Sequence, residues 1–464
     1  MYKIKKKNYY SYIHIIDIFD YNKHFFCDFE CIIKIKENPR ACIVGAGYSG
    51  LGTARFMRDY GVNFTVFEAT NYVGGTWRFD PHVGADEYGL PVFSSMYKNL
   101  RINTPRLTME YTGFPFPEGT QSYPTGECFY KYLKLFATKF DLVKNIQFQS
   151  YVTSIKWARD HWNLTYTKVD RKESVTEECD FMVIANGEFS SPVWPSFEGQ
   201  ETFKGRMIHS HDYKDPEEFR NRKVLLVGAG PSGLDLAMHL SNVTSTLVHS
   251  HHLRYNQPFF SETYVKKPDI IMFTPNGVIF EDKSFEAVDD VIFCTGYQLT
   301  HPFLDKSTGI TATGKFLLPL YQHTVNIRHP SMAFVGVPKK VLNKVNEAQG
   351  EYVAALAAGK FKLPPQEAML KAWLAHVRDM QSKGMKLVDV NLIGDDMDNF
   401  FANLTSEAGI SRRPPVLTDI RNYNAKYRLE DLLNYRDFDF KIIDDLHYEK
   451  VYNPRKGNPC PFDY

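Results

Sequence analysis

The chain has 464 residues, with 55 Lys and Arg against 54 Asp and Glu and a formal net charge of +1. At roughly 150 residues per domain this length suits about two or three domains, and the charge balance gives no global footprint for nucleic acid or an anionic membrane. The seven cysteines contain no CxxC pair, which excludes a disulfide-dense scaffold and zinc-finger spacing, and no apolar run is long enough to span a bilayer.

Residues 1–38 differ from the rest. They lack Gly, Pro, Ala, Leu, Val and Arg, and 28 of the 38 are Phe, Tyr, Met, Ile, Asn or Lys. Asp17 and Asp20 interrupt the candidate apolar core of a secretory signal, and small residues for cleavage are nearly absent. Secretion is therefore not expected. The over-used residue types have A/T-rich codons, so this leader reads as translated non-coding or misjoined sequence, with a poorly ordered extension as the alternative.

Regular patterning begins at Arg40. Ala41-Cys42-Ile43-Val44 is a short apolar run that predicts a buried parallel strand. Gly45-Ala46-Gly47-Tyr48-Ser49-Gly50 follows as a GxGxxG, then a helical stretch to Gly61 and a second strand ending at Glu68. In this pattern Gly45 permits the tight turn, Gly47 lets backbone approach a pyrophosphate, and Gly50 allows close helix–strand packing. The helix N-terminus offers N–H groups to phosphate. Glu68 is placed to accept from a ribose diol and repels a 2′-phosphate, so the cradle suits FAD or NAD. Gly74 and Gly75 again allow close backbone approach to a ligand, and Trp77 either covers a flat ring or fills core.

Lys223–Val227 repeats the strand, and Gly228-Ala229-Gly230-Pro231-Ser232-Gly233 repeats the cradle. The next strand ends at Ser250 without an acid. Ser250, His251, His252 and Arg254 stand there instead, chemistry that favours a 2′-phosphate and hence NADPH. No carboxylate or Cys completes a metal set with the histidines, so no metal is expected. One FAD and one NADPH on a single chain imply electron transfer from nicotinamide to flavin. A dithiol route is weakly supported, because Cys27 and Cys31 lie in the leader and the other cysteines are far apart in sequence.

The sequence resembles the flavin-containing monooxygenases over residues 40–400. Phe203-Lys-Gly205-Arg-Met-Ile-His209-Ser-His-Asp-Tyr213 fits the family fingerprint FxGxxxHxxx(Y/F), just before the second cradle. Baeyer–Villiger relatives usually carry Trp where this chain has Tyr213. Gly74-Gly75-Thr76-Trp77, Ser232 with Asp235, and Cys294-Thr295-Gly296-Tyr297 in place of ATGY also match. The resemblance implies that Thr295 and Gly296 adjoin the nucleotides, that Asn103 in Arg101–Arg106 steadies the oxygen adduct or retained NADP⁺, and that Gln349 approaches the flavin. It further implies a C4a-hydroperoxyflavin that gives one oxygen atom to an amine nitrogen or sulfur of a small molecule. Little acid–base machinery is then required, since the cofactor does the chemistry. His209 is expected to order the link between domains.

The expected fold is α/β with two Rossmann-like dinucleotide-binding domains, the FAD domain discontinuous and the NADPH domain inserted into it. The expected boundaries are 39–195 for the first FAD segment, 196–325 for the NADPH domain, and 326–464 for the second FAD segment with C-terminal helices. By resemblance the enzyme is of soluble, insect type, without a transmembrane anchor, and cytoplasmic or peripheral to the endoplasmic reticulum. Its partners are O₂ and a nucleophilic small molecule, with no nucleic acid and an open oligomeric state. Baeyer–Villiger oxidation of ketones and a flavin redox sensor without turnover are the alternatives.

Overall fold

A computed structural model describes residues 36–454 and 460–462. The leader reading for residues 1–35 lies outside the described residues. Lys36, at its edge, pairs with Asp180 at 2.7 Å.

Strand β1 (Arg40–Val44) leads into helix α1 (Tyr48–Asp59) and strand β2 (Asn63–Phe67). Helix α2 (Gly126–Lys139) and the short β3 (Ile146–Gln147) follow. An antiparallel sheet of β4 (Ser150–Ala158), β5 (His161–Lys168) and β6 (Glu173–Cys179) then precedes β7 (Phe181–Ile184). Ala41, Cys42 and Ile43 are fully buried, as expected of a parallel strand covered on both faces.

The second unit starts with β8 (Arg206–His209). It continues through β9 (Lys223–Val227), helix α3 (Pro231–Leu240), β10 (Thr246–Ser250) and β11 (Tyr264–Lys267). A small antiparallel sheet of β12 (Ile270–Thr274), β13 (Gly277–Phe280) and β14 (Phe285–Ala287) precedes β15 (Asp290–Phe293). The five-stranded sheet has the order β11-β10-β9-β15-β8 and is parallel throughout.

The chain then pairs β16 (Thr311–Ala312) with β17 (Leu317–Leu318). It adds β18 (Leu320–Tyr321), β19 (Val325–Asn326) and β20 (Met332–Phe334) to the first sheet, whose order is β18-β19-β20-β7-β1-β2-β3. This corrects the 325 boundary. Residues 320–325 already hydrogen-bond within the first sheet, so the chain leaves the second sheet after β15, close to Thr295-Gly296-Tyr297. Helices α4 (Asn343–Ala357), α5 (Gln366–Ser382), α6 (Met397–Ala408) and α7 (Val416–Glu430) and the hairpin β21 (Phe438–Ile442) and β22 (Tyr448–Tyr452) complete the fold. Buried Ala348, Tyr352 and Ala355 of α4 share one core with Leu51 and Ala54 of α1. Gly350 lies so close to α1 that a Cβ there would stand 2.8 Å from Thr53 Oγ1.

Two disulfides form, Cys42–Cys179 and Cys128–Cys460, across 137 and 332 residues of sequence. Cys294 is the free thiol among the described residues, and it is buried. Among the described residues no helix is long and apolar enough to cross a membrane.

Candidate nucleotide and oxygenation site

In the first cradle Gly45 has φ +99°, and a Cβ there would stand 2.6 Å from Ala185 O on the neighbouring strand. A Cβ on Gly50 would meet Gly45 O at 1.9 Å. Both glycines are therefore fixed by packing. Gly47 differs: a Cβ there would meet nothing closer than Gly75 Cα at 3.7 Å. Gly74 N donates to Ala46 O at 2.9 Å, so the two glycine segments lie side by side. Gly47 caps α1 with no side-chain bond to the first-turn N–H groups, which fits an anion at this point.

Glu68 is buried at the end of β2. Its Oε2 accepts from Ala46 N at 2.8 Å, and its Oε1 accepts from Thr70 N at 2.9 Å and Thr70 Oγ1 at 2.7 Å. Burial raises its pKa while these donors oppose the rise. A carboxylate has about four lone-pair sites, so capacity for a ribose hydroxyl remains. Trp77 is half-buried with its ring edge-on to Phe129 at 4.5 Å.

The second cradle repeats the geometry. Gly228 has φ +98°, and a Cβ on Gly233 would stand 2.0 Å from Gly228 O. A Cβ on Gly230 would meet nothing within 4 Å. Gly230 also caps α3 without a side-chain bond, and Pro231 sits at the first helical position beside Ser232.

The residues after β10 divide into two groups. Ser250 is buried and its Oγ donates to Pro268 O at 2.7 Å. His251 is buried with neither ring nitrogen partnered among the described residues, and burial lowers its pKa to about 4. It is thus a neutral hydrogen-bonding group. Exposed His252 has its Nδ1 3.2 Å from Asp269. Arg254 is exposed and makes no ion pair among the described residues. The sequence reading missed Lys266, an exposed residue of β11 in register with His249. Its charge acts on His251. Only the strand pairing reveals it.

Between the sheets, Thr295 Oγ1 donates to Val193 O at 2.7 Å and Val193 N donates to Gly296 O at 2.9 Å. The two crossing segments therefore run together. His209 is buried at the end of β8, its ring 5.9 Å from Trp194 and 5.2 Å from Tyr297, one on each crossing segment. The fingerprint histidine thus packs the interdomain link. Its Nε2 has no partner among the described residues, and burial lowers its pKa to about 4.

Asn103 is half-buried. Its backbone O accepts from Asn424 Nδ2 at 2.9 Å, and its side-chain amide makes no hydrogen bond among the described residues. Gln349 is different. Its Oε1 accepts from Gly336 N at 3.1 Å, and its Nε2 donates to Thr324 Oγ1 at 2.9 Å and His323 O at 3.2 Å. Those contacts make it a brace behind Gly336. Among the described residues no cluster of three or more His, Cys, Asp or Glu could hold a metal.

The flavin-binding monooxygenase-like family model matches residues 38–253 and 259–417. Senecionine N-oxygenase of Tyria jacobaeae is 51% identical over 93% of this chain and 96% of its own length. A flavin-containing monooxygenase of the GS-OX-like type from Arabidopsis thaliana is 32% identical over 72% of this chain and 79% of its own. Among solved structures, S-allyl-L-cysteine S-oxygenase from Allium sativum superposes with a TM-score of 0.80 at 27% identity, covering 86% of this chain and 95% of that one. With both cradles in place and the match covering most of its length, the chain belongs to the flavin-binding monooxygenase-like family and is a flavoprotein oxidoreductase.

Proposed function

We propose that the chain is an NADPH- and O₂-dependent N-oxygenase of small tertiary amines, with FAD in the first cradle and NADPH in the second. The reading rests on the contrast between the cradles. Both present uncapped helix N-termini, but the first carries the Glu68 carboxylate and the second carries Arg254 and Lys266. Only the second set suits a 2′-phosphate. Reduced flavin, when bound, activates O₂ and supplies the oxygen atom. Gly45, Gly47 and Gly50 would hold its pyrophosphate side, and Gly74 and Gly75 would flank it. Gly228, Gly230, Ser232 and Gly233 would hold the pyrophosphate of NADPH. The Asn103 amide would donate to the oxygen being transferred or to the retained nicotinamide. The preference for nitrogen is supported by the similarity to an N-oxygenase over nearly the whole chain.

The test is product analysis. Purified holoenzyme with NADPH in air receives a tertiary amine, a thioether and a ketone. N-oxide as the main product supports the reading. Ester from the ketone moves the chain to Baeyer–Villiger chemistry, and bound FAD without NADPH oxidation makes it a sensor.

The two disulfides support maturation in an oxidising compartment rather than the cytoplasm, where thiols stay reduced. Intact mass of the native protein before and after reduction tests this.

A further inference from the structure

Strands β20 and β7 run side by side and parallel, with Phe334 opposite Ile184, and β1 lies on the other side with Val44 opposite Ile184. Their carboxyl ends therefore release three adjacent segments: the first cradle, Asn186-Gly187-Glu188-Phe189, and the loop Gly336–Lys339. In an open parallel sheet the ligand lies across these ends. Glu68, just after β2, would mark the adenosine side and Gly47 the pyrophosphate. The remaining half of a bound dinucleotide would then extend over β7 and β20. Gly336 belongs to the same surface, since a Cβ there would stand 2.9 Å from Ser49 Oγ of α1.

Glu188 sits in this position. It is half-buried and makes no hydrogen bond or ion pair among the described residues. Lys339, from the loop after β20, is the charged group that acts on it. The Lys339 ammonium is itself held by Lys315 O. Phe189 beside it is 48% exposed and packs its ring against Tyr297 at 5.5 Å. An unpartnered carboxyl beside exposed aromatic surface is a receptor for an organic cation.

We infer that Glu188 recruits the amine substrate as its ammonium ion and accepts its proton. The proposal rests on the N-oxygenase reading above. A tertiary amine is mostly protonated at neutral pH, and its lone pair is then unavailable. The N–H bond breaks, the proton passes to the Glu188 carboxylate, and the freed lone pair forms the N–O bond with an oxygen atom from O₂. NADPH supplies two electrons as hydride, the second oxygen atom leaves as water carrying that hydrogen and one proton taken from solvent, and the Glu188 proton returns to solvent. Burial pushes the Glu188 pKa up to about 7, against the pull of Lys339, so the group changes state in the range where this exchange is required.

The experiment compares wild-type holoenzyme with Glu188→Gln, each checked for FAD content and Tm. Three probes are used: a tertiary amine, a neutral thioether, and a quaternary ammonium ion whose binding is read by perturbation of the flavin absorbance. In the variant the amine KM rises about tenfold, as expected for one lost charge-assisted contact. Quaternary ammonium binding weakens by a similar factor. Thioether kcat and KM stay unchanged. The wild-type amine kcat/KM rises with pH through about 7, and this limb disappears in the variant. Equal losses for amine and thioether, or unchanged ammonium binding, overturn the proposal. If wild type oxidises the thioether and never the amine, the N-oxygenase reading fails, while the ammonium titration still decides whether Glu188 binds cations. If the variant does not fold, Glu188→Asp replaces it, and it must retain cation binding that Glu188→Ala loses.

Discussion

Arg436 Nη2 lies 2.9 Å from Asp235 Oδ1, an ion pair with side chains only 11% and 8% exposed. Asp235 belongs to α3 of the second cradle, and its Oδ2 also accepts from Tyr97 OH at 2.5 Å. Arg436 precedes β21 and donates to Ile102 O at 3.2 Å and Arg101 O at 3.0 Å, immediately before Asn103. One guanidinium thus ties the second cradle's helix to the segment that carries Asn103. Burial opposes charge on Asp235, but Arg436, His239 and Tyr97 hold its carboxyl below the ordinary range. Breaking such a pair from one side leaves an uncompensated buried charge. Arg436→Met should cost about 3–5 kcal/mol in urea unfolding. The double variant Asp235→Leu with Arg436→Met removes both charges and should recover most of that loss. Additive losses would mean the pair is not coupled.

Gly230 and Gly233 separate ligand space from packing. Ala at 233 drives a Cβ to 2.0 Å from Gly228 O, so Gly233→Ala should distort the cradle and lower Tm. Ala at 230 meets no protein atom within 4 Å, so Gly230→Ala should keep the wild-type Tm and FAD content. Its methyl would instead occupy the approach to the pyrophosphate. The KM for NADPH should rise at least about tenfold, or about 1.4 kcal/mol. An unchanged KM would remove NADPH from this cradle.

Among the described residues the Asn103 side chain has no hydrogen-bond partner while its backbone is held, the arrangement of a donor positioned for a ligand. Asn103→Asp replaces donor by acceptor with little change of shape. FAD content should stay constant, and oxygenated product should fall on the order of 10²-fold, the loss typical of one preorganised donor. Product and peroxide are measured per NADPH consumed. Equal oxygenation by variant and wild type would sink the assignment.

The cradles were legible because their chemistry is local: turn, close approach and helix start all lie within six residues of sequence. Glu68 was legible for the same reason, since strand and cradle set its distance. Contacts between distant segments leave no such pattern. Arg436 and Asp235 are 201 residues apart, and the Cys128–Cys460 bond spans 332. Lys266 needed the pairing of β11 with β10, and Glu188 needed the neighbouring strands to place Lys339 beside it. His251 was legible as a residue but not as a charge state, because burial, aided by the charge of Lys266 on the neighbouring strand, makes it neutral.

His249 gives the second cradle a defined response to acid. Its Nε2 donates to Gly228 O at 2.9 Å and its Nδ1 accepts from Tyr264 OH at 3.0 Å. The Nδ1 bond requires the neutral ring, whereas the Nε2 donor serves either form. Burial lowers its pKa from 6.5 to about 3, whereas the unfolded chain keeps the ordinary value. The folded state therefore binds fewer protons than the unfolded state between these limits. Stability from this group is complete above pH 6.5 and is lost as pH falls towards 3. His323, lowered to about 3, and His301, lowered to about 4, act with the same sign. Going from neutral pH to pH 5 should cost about 2 kcal/mol per such histidine. Carboxylates add their own acid sensitivity, so the decisive quantity is a difference. His249→Gln can still donate to Gly228 O but does not titrate. Its unfolding free energy should fall less steeply with acid than the wild-type value, by about that amount. Parallel pH profiles for the two proteins would show that His249 is not the neutral brace described.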